Sequence, residues 1–581
     1  MVGRSEQSGG PMYDLLVRGG TVVDGSGLAP RRADVAVRDQ RIVAVGRLQG
    51  ERATRVVDAD GLVVAPGIVD VHTHYDPQIT WDASCDTSVR HGVTTVVAGN
   101  CGFSIAPCHR DDHAYLAQMF ARVEGMALEA FDHVRWDFET FPEFLQSRQG
   151  RLGVNFGCYV GHSAVRRYVM GDASFEREAS DDEIASMQAL VDDAMRGGAM
   201  GFSSAQVSLH FDTAERPVPS RLAADREINA LVDVVGRYGI GSLAIAPYST
   251  VDGLDAADSD RLIDYVKRAG VPMVFQGYGG RNRRVDPENA WRGLETLLDR
   301  SLRECAPVYS LVMMRNSNAS FHLAQGTSLY ESVPLWAALM AMSPQERRVA
   351  MRDLDARAAY EDAIDHPQQP AQAGATTPPS WDGLRVRRTF SAENASFERR
   401  SIQEIATQRR RRPVDVMFDI ALADDLRTLF HWSNESTALR DVLRRVQFHP
   451  MVLPGISDGG AHLERDDGSE WSTYFLRIWC LDEGGWPIEA AIRRLTAVPA
   501  AVCGIRDRGL LQVGSFADMM LFDPARIDIG ERSLGIDRIT KTERFYSAPV
   551  GIAATIVNGE IVVDHGELID DARPGSVVRP A

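Results

Sequence analysis

Gly67-Ile-Val-Asp-Val-His-Thr-His-Tyr75 is a short apolar run that ends in two histidines one residue apart. Side chains alternate across a strand, so a His-x-His pair on one sends both imidazoles to the same side. Two neutral imidazoles converging at a strand end make the start of a divalent-metal site. The bland alternative is a pair of core or surface histidines. The apolar run opened by Pro66-Gly67 and closed by Asp76 favours a buried strand that delivers His72 and His74 to a metal.

The rest of the chain has room for a large fold around that strand. It has 581 residues, 44% hydrophobic and 25% charged, which is ordinary for a globular protein. A net charge of -17 argues against nucleic acid or an anionic membrane as partner. There is no apolar run long enough for a membrane span, and residues 1–11 read as a flexible Gly/Ser-rich tail without a signal-peptide core. Seven scattered cysteines do not form a disulfide framework, so a reducing cytoplasm is expected.

Residues 13–64 alternate apolar and polar positions in short runs broken by Gly and Asp, which predicts antiparallel strands. Residues 517–522 and 553–563 have the same texture, the latter folded at Asn558-Gly559. Neither end closes a core alone, so both are expected to share one β-sandwich, from 12–65 and 506–581. Between them strands alternate with helices, at 68–74, 94–99, 153–160, 199–203, 241–246, 272–276, 307–312 and 452–457, with helices such as 180–196, 223–238 and 256–269. That pattern predicts an α/β fold: a distorted (β/α)8 TIM barrel over 66–505, with an insertion at about 313–451 covering its mouth. Residues 366–380 read as an exposed mobile loop. Catalytic groups in such a barrel sit at the C-terminal strand ends. His72, His74, Cys101, His162 and Asp458 all fall there.

Pro66-Gly-x-x-Asp-x-His-x-His74 resembles the first-strand signature of the amidohydrolase superfamily. Leu16–Asp24, Gly92-Val-Thr-Thr-Val-Val-Ala-Gly-Asn-Cys-Gly102, Gly161-His162 and Ser457-Asp458-Gly459 are similar to its N-acyl-D-amino-acid deacylase branch. The resemblance runs from about residue 12 to about residue 570. It implies the split sandwich as well as the barrel. It implies that Asp458 binds metal and takes the proton of the attacking water, where the alternative for an Asp-Gly pair is a turn. It also implies that Cys101 is a ligand in place of the carbamylated lysine found elsewhere in the superfamily. The chain has only Lys267 and Lys541, one at a helix end and one outside the barrel, so the lysine-bridged site is excluded.

The chain departs from that branch at two strands. The fifth and sixth should each end in a zinc-binding histidine, but 242–247 and 273–278 read Ser-Leu-Ala-Ile-Ala-Pro and Met-Val-Phe-Gln-Gly-Tyr. The arginine expected to clamp a substrate carboxylate after the fifth strand is also missing. His72, His74, Cys101 and Asp458 remain, enough for one Zn2+, with two ions or another divalent metal left open. His162, Tyr278, Arg315 and His462 are candidate substrate contacts; core packing for His162 and a surface salt bridge for Arg315 are the alternatives. Phe321, His322, Trp336, Phe430, His431 and Trp432 would make the pocket aromatic, or else pack the insertion's core.

The expected function is metal-dependent hydrolysis of a non-peptide C–N bond in a small molecule, with a homo-oligomer left open. The alternatives are another reaction on the same fold (opening of a cyclic amide, lactone or ester, decarboxylation, or C–C cleavage) and a non-catalytic binding protein.

Overall fold

A computed structural model describes residues 12–251, 253–278, 287–315, 318–330, 332–366, 378–433, 437–463 and 468–581. The expected tail and most of the expected loop at 366–380 lie outside them.

The central strands are parallel and follow chain order. Ile68–Asp70, Val93–Ala98 and Asn155–Cys158 form one sheet. Val160–Gly161, Gly201–Ala205, Ser242–Ala246, Met273–Tyr278, Val308–Met313 and Val452–Gly455 form a second. Met200 N–H donates to Cys158 O at 2.9 Å and carries the order from one sheet to the next. At the other side Thr73 bridges Gly459 in parallel, so the first strand meets the last. Helices such as Asp181–Gly197, Asp225–Tyr238 and Ala256–Ala269 lie between consecutive strands. They bury Ile184, Met187 and Val191, or Ile228, Leu231 and Val235, at helical spacing. These elements lie within two residues of the sequence reading, except the first strand, which ends at Asp70 rather than at 74. Beyond it Thr73 N–H still donates to Val97 O at 3.2 Å, and the chain then turns to the loop after the last strand, where His74 N–H donates to Gly459 O at 2.7 Å.

Both chain ends build one sheet of nine strands. The seam is an antiparallel pairing of Val63–Pro66 with Met519–Phe522. The turn that leads out of this sheet into the first parallel strand requires a glycine. A Cβ on Gly67 would stand 2.1 Å from Thr94 Oγ1. Gly67 N–H donates to Asp518 O at 3.0 Å, and Asp518 itself is buried against Arg508 and Asn155. The His-x-His segment is thus anchored from below.

Two features go beyond the sequence reading. The insertion has its own core, in which Phe321, Trp336 and Phe430 are buried with Tyr330, Tyr360 and Phe418. Those three aromatics pack the insertion, the core-packing alternative of the sequence reading, because its three-stranded sheet and helices need a hydrophobic interior of their own. The C-terminal portion also contributes a hairpin, Asp528–Ile536 with Glu543–Val550, outside the nine-stranded sheet. It docks beside the last strand's loop: Phe545 N–H donates to Leu463 O at 2.8 Å, and Arg532 pairs with buried Glu470 at 2.5 Å. His322 of the insertion meets Glu543 of the hairpin at 3.2 Å.

Candidate metal centre

His72 and His74 emerge just beyond the first strand, 4% and 1% exposed, with ring centroids 5.5 Å apart. Cys101 arrives from the next strand in a single turn, Asn100–Gly102, and its Sγ is 3.7 Å from His72 Nε2. Asn100 pins that turn, its Nδ2 donating to Val97 O at 2.9 Å and Thr73 O at 3.3 Å. One ligand atom from each of His72, His74 and Cys101 lies within 4.8 Å of the other two. Asp458 comes from the last strand, with Oδ1 3.4 Å from His72 Nε2 and 3.9 Å from His74 Nε2. Ser457 Oγ donates to His72 O at 3.0 Å and locks the two strand ends together.

The backbone is strained at this point. Cys101, Ile456 and Asp458 have φ of 55°, 61° and 49°. Such values are costly for residues with a Cβ and cluster at functional sites.

The electrostatics favour neutral imidazole. Burial, reinforced by His72, pushes the His74 pKa down to about 3. A neutral ring keeps a lone pair for a metal. Beneath it, burial raises Asp70 to about 7, against hydrogen bonds from His72 N–H and Trp471 Nε1–H. Burial also raises Asp76 to about 7; it accepts from Gly99 N–H and Cys158 Sγ.

These donors suit a divalent ion. The buried Nδ1 of His74 meets no hydrogen-bond partner among the described residues, while its Nε2 faces Asp458 and Glu124. Ligand atoms about 2.0–2.1 Å from a tetrahedral ion stand roughly 3.3–3.4 Å apart, and a thiolate at about 2.3 Å lengthens its edges to roughly 3.5 Å. The His72–Asp458 and His72–Cys101 separations of 3.4 and 3.7 Å are close to those edges.

The candidate substrate contacts are more scattered. His162 is fully buried, with Nδ1 2.8 Å from Ser204 Oγ and Nε2 2.9 Å from Glu227 Oε1. Arg166 also grips Glu227, so both nitrogens of His162 belong to a closed interior network. Arg315 is buried beside the Asp458 loop, where a Cβ on Gly468 would approach its Nη2 to 3.0 Å. His462 is half-buried, with φ 57°. Tyr278 ends its strand opposite Val312, and its side chain lies outside the described residues.

Two groups escaped the sequence reading. Glu124, 4% exposed, ends the helix His113–Glu124 and sets Oε2 3.4 Å from His74 Nε2. An acid in a helix's last turn opposes the helix dipole, and that was the available signal. His210 lies in the irregular segment after Gly201–Ala205. Its pKa falls to about 4 by burial, then by Arg221, with Asp458 opposing. Its isolation in a loop left no pattern to read.

A cavity of about 470 Å³ lies at the opposite, N-terminal ends of the strands, bounded by Gly241, Pro272 and Ala581. It is remote from this cluster, and the chemistry points to the strands' C-terminal ends.

A family model described as "Amidohydrolase family" matches residues 55–563. D-aminoacylase of Alcaligenes xylosoxydans xylosoxydans is 31% identical over 525 residues, 90% of each chain. N-acyl-D-aspartate deacylase of the same organism is 28% identical, over 98% of this chain and 95% of its own. A solved D-aminoacylase, described with a binuclear metal center, superposes with a TM-score of 0.61 at 25% identity, covering 98% of this chain and all of that one. N-acyl-D-glutamate deacylase of Bordetella bronchiseptica, solved with zinc and a phosphonate inhibitor, shares the fold, with a TM-score of 0.62 at 22% identity and the same coverage.

Proposed function

Because this chain belongs to the amidohydrolase family, in its D-aminoacylase branch, we propose that it hydrolyses the amide bond of a small N-acyl-D-amino-acid-like substrate. His72, His74, Cys101 and Asp458 would hold one divalent ion, with zinc as the first candidate. Such an ion would supply Lewis acidity, bringing the pKa of a water toward about 7 and polarising the substrate carbonyl.

The chain's own part is proton handling and orientation. Asp458 takes the proton from the attacking water and returns it to the leaving nitrogen. Ser457 and the strained φ of Asp458 fix that carboxylate's direction before substrate arrives. Arg315, behind the same loop, orients the substrate's anionic end in place of the missing clamp. His462, carried by the same loop, is proposed to complete the substrate's surroundings, while His162 packs the wall with both ring nitrogens engaged by Ser204 and Glu227.

The two parallel sheets form one distorted (β/α)8 barrel over 66–505, with an insertion at about 313–451, and both ends, 12–65 and 506–581, form the β-sandwich. The described cysteines are free thiols, which suits a cytoplasmic setting. No helix among the described residues is long and apolar enough to cross a membrane.

The observation that carries the proposal is the approach of Asp458 Oδ1 to His72 Nε2 at 3.4 Å, beside the cluster that His72 forms with His74 and Cys101. Elemental analysis combined with a panel of N-acetyl-D-amino acids, their L-enantiomers and cyclic amides tests it. Metal with D-selective amide cleavage supports it; metal-independent turnover, or no amide cleavage, removes it.

A further inference from the structure

We propose that Arg221, with His210 beside it, forms a carboxylate-binding subsite at the mouth of the site, so that the substrate carries an acidic group there in addition to the end that Arg315 orients. The inference rests on the amide-hydrolysis reading above and deepens it by naming the charge of the substrate.

Both residues lie on the irregular segment between Gly201–Ala205 and Asp225–Tyr238, which leaves its strand at the C-terminal end. The segment is tied down there. Gln206 N–H donates to Ala246 O at 2.9 Å, at the end of the next strand. Ser220 is fully buried, and its Oγ donates to Ala205 O at 2.7 Å. Asp212 closes the loop, accepting from the N–H groups of Ala214 and Arg216 at 2.9 and 3.0 Å. Arg221 follows Ser220, so it is held at the strand end where such a fold binds substrate.

His210 links this loop to the metal centre. Its ring lies against that of Phe103, with centroids 5.3 Å apart, and Phe103 is two residues from Cys101. The Asp458 carboxylate is close enough to oppose the burial that lowers the His210 pKa. The backbone of His210 is fixed: its N–H donates to Val207 O at 3.2 Å, and its carbonyl accepts from Val218 N–H at 3.3 Å and Arg221 Nη1 at 3.1 Å. Its imidazole hydrogen-bonds no described residue, and its Nδ1 is closed off from solvent. A neutral imidazole still offers one N–H donor.

Arg221 lacks the partner an arginine normally finds. It is half-buried, donates to His210 O, and sets its Cζ 4.5 Å from the centroid of Phe211. No carboxylate among the described residues pairs with it. Burial pushes its pKa down, and Tyr248 opposes that fall. Tyr248 begins the turn after Ser242–Ala246, where the arginine expected of this branch is missing. Arg221 brings a cation to that place from the neighbouring loop, with the planar fork that suits a carboxylate. Arg315 follows Val308–Met313, and two strands stand between that strand and Gly201–Ala205. At about 4.8 Å per step, the two arginines start from strands up to about 14 Å apart. A substrate with two acidic groups matches them better than one with a single carboxylate.

The test compares substrates of the same shape that differ in one charge. With the metal-loaded full chain, kcat and KM are measured for N-acetyl-D-glutamate against N-acetyl-D-glutamine, where the acid lies in the side chain. They are measured also for N-succinyl-D-alanine against its terminal amide, where the acid lies in the acyl group. The parent should favour the acid in one of the two pairs by about tenfold or more in kcat/KM, roughly the worth of a hydrogen bond to a charged group. Arg221→Gln should bring that ratio to about one, through KM, and His210→Asn should lower it. Arg221→Lys keeps the charge but not the fork, so it should retain part of the ratio; it carries the test where the glutamine variant does not fold. Equal kcat/KM within both pairs for the parent, or a parental ratio in the Arg221 variants, would overturn the subsite while leaving amide hydrolysis in place. A parent that cleaves none of the four would overturn both readings.

Discussion

Asp458 Oδ1 lies 3.4 Å from His72 Nε2, although 385 residues separate the hydrogen-bonded Ser457 from His72. The first and last parallel strands meet to make that contact, so the position of the proposed base depends on closure of the strand order. Asp458→Asn keeps the shape and removes the basicity. Turnover should fall by about 10²–10⁴, the usual worth of a positioned general base, with the circular dichroism and melting of the metal-free protein unchanged. Near-parental rates would remove Asp458 from that role.

Cys101 occupies left-handed backbone at φ 55°. Glycine tolerates that region, and alanine pays about 1–2 kcal/mol for it. Metal-free Cys101→Gly should therefore be more stable than metal-free Cys101→Ala, while both bind metal more weakly than the parent. Parental metal affinity in both variants would show that the strained position serves no ligand. Chemical denaturation and chelator competition give the two readouts.

The approach of Gly67 to Thr94 makes a stability prediction. Gly67→Ala places a Cβ about where Thr94 Oγ1 now sits, at 2.1 Å. Overpacking of this kind costs about 1–3 kcal/mol, and more where backbone must shift. Urea unfolding should show the loss, together with weaker metal binding as the His-x-His segment moves. A neutral substitution would contradict the packing described.

The pH dependence can be read at His210. Its pKa falls from 6.5 unfolded to about 4 folded, so the unfolded chain binds more protons between those values. Stability from the neutral ring is fully present above about 6.5 and is lost as pH falls toward 4. The parent should therefore lose stability relative to His210→Gln across that window, measured by urea midpoints on metal-free protein. A constant difference between them would show that His210 titrates normally.

The strand-end histidines were legible because a period of two and an apolar run declare a buried strand within nine residues. The parallel strands were legible for the same local reason. The first strand's early end was not, because it depends on bonds to Gly459, far away in sequence. The insertion's aromatics carried no mark of which core they fill: Trp336 stacks on Tyr330 only after the surrounding helices assemble. The hairpin that begins at Asp528–Ile536 was not picked out in the sequence, and its docking against Leu463 and Glu470 is tertiary. Glu124 showed only as an acid in the last turn of a helix, and its meeting with His74 is tertiary.

The measurement that bears most directly on the central claim is an anomalous-scattering map at the metal edge, paired with elemental analysis of the same protein. The account predicts a peak among His72, His74 and Asp458 and at least one equivalent of divalent metal per chain, with amide hydrolysis lost on chelation and restored by adding the ion back. No peak between those imidazoles, or full activity after exhaustive chelation, would contradict it.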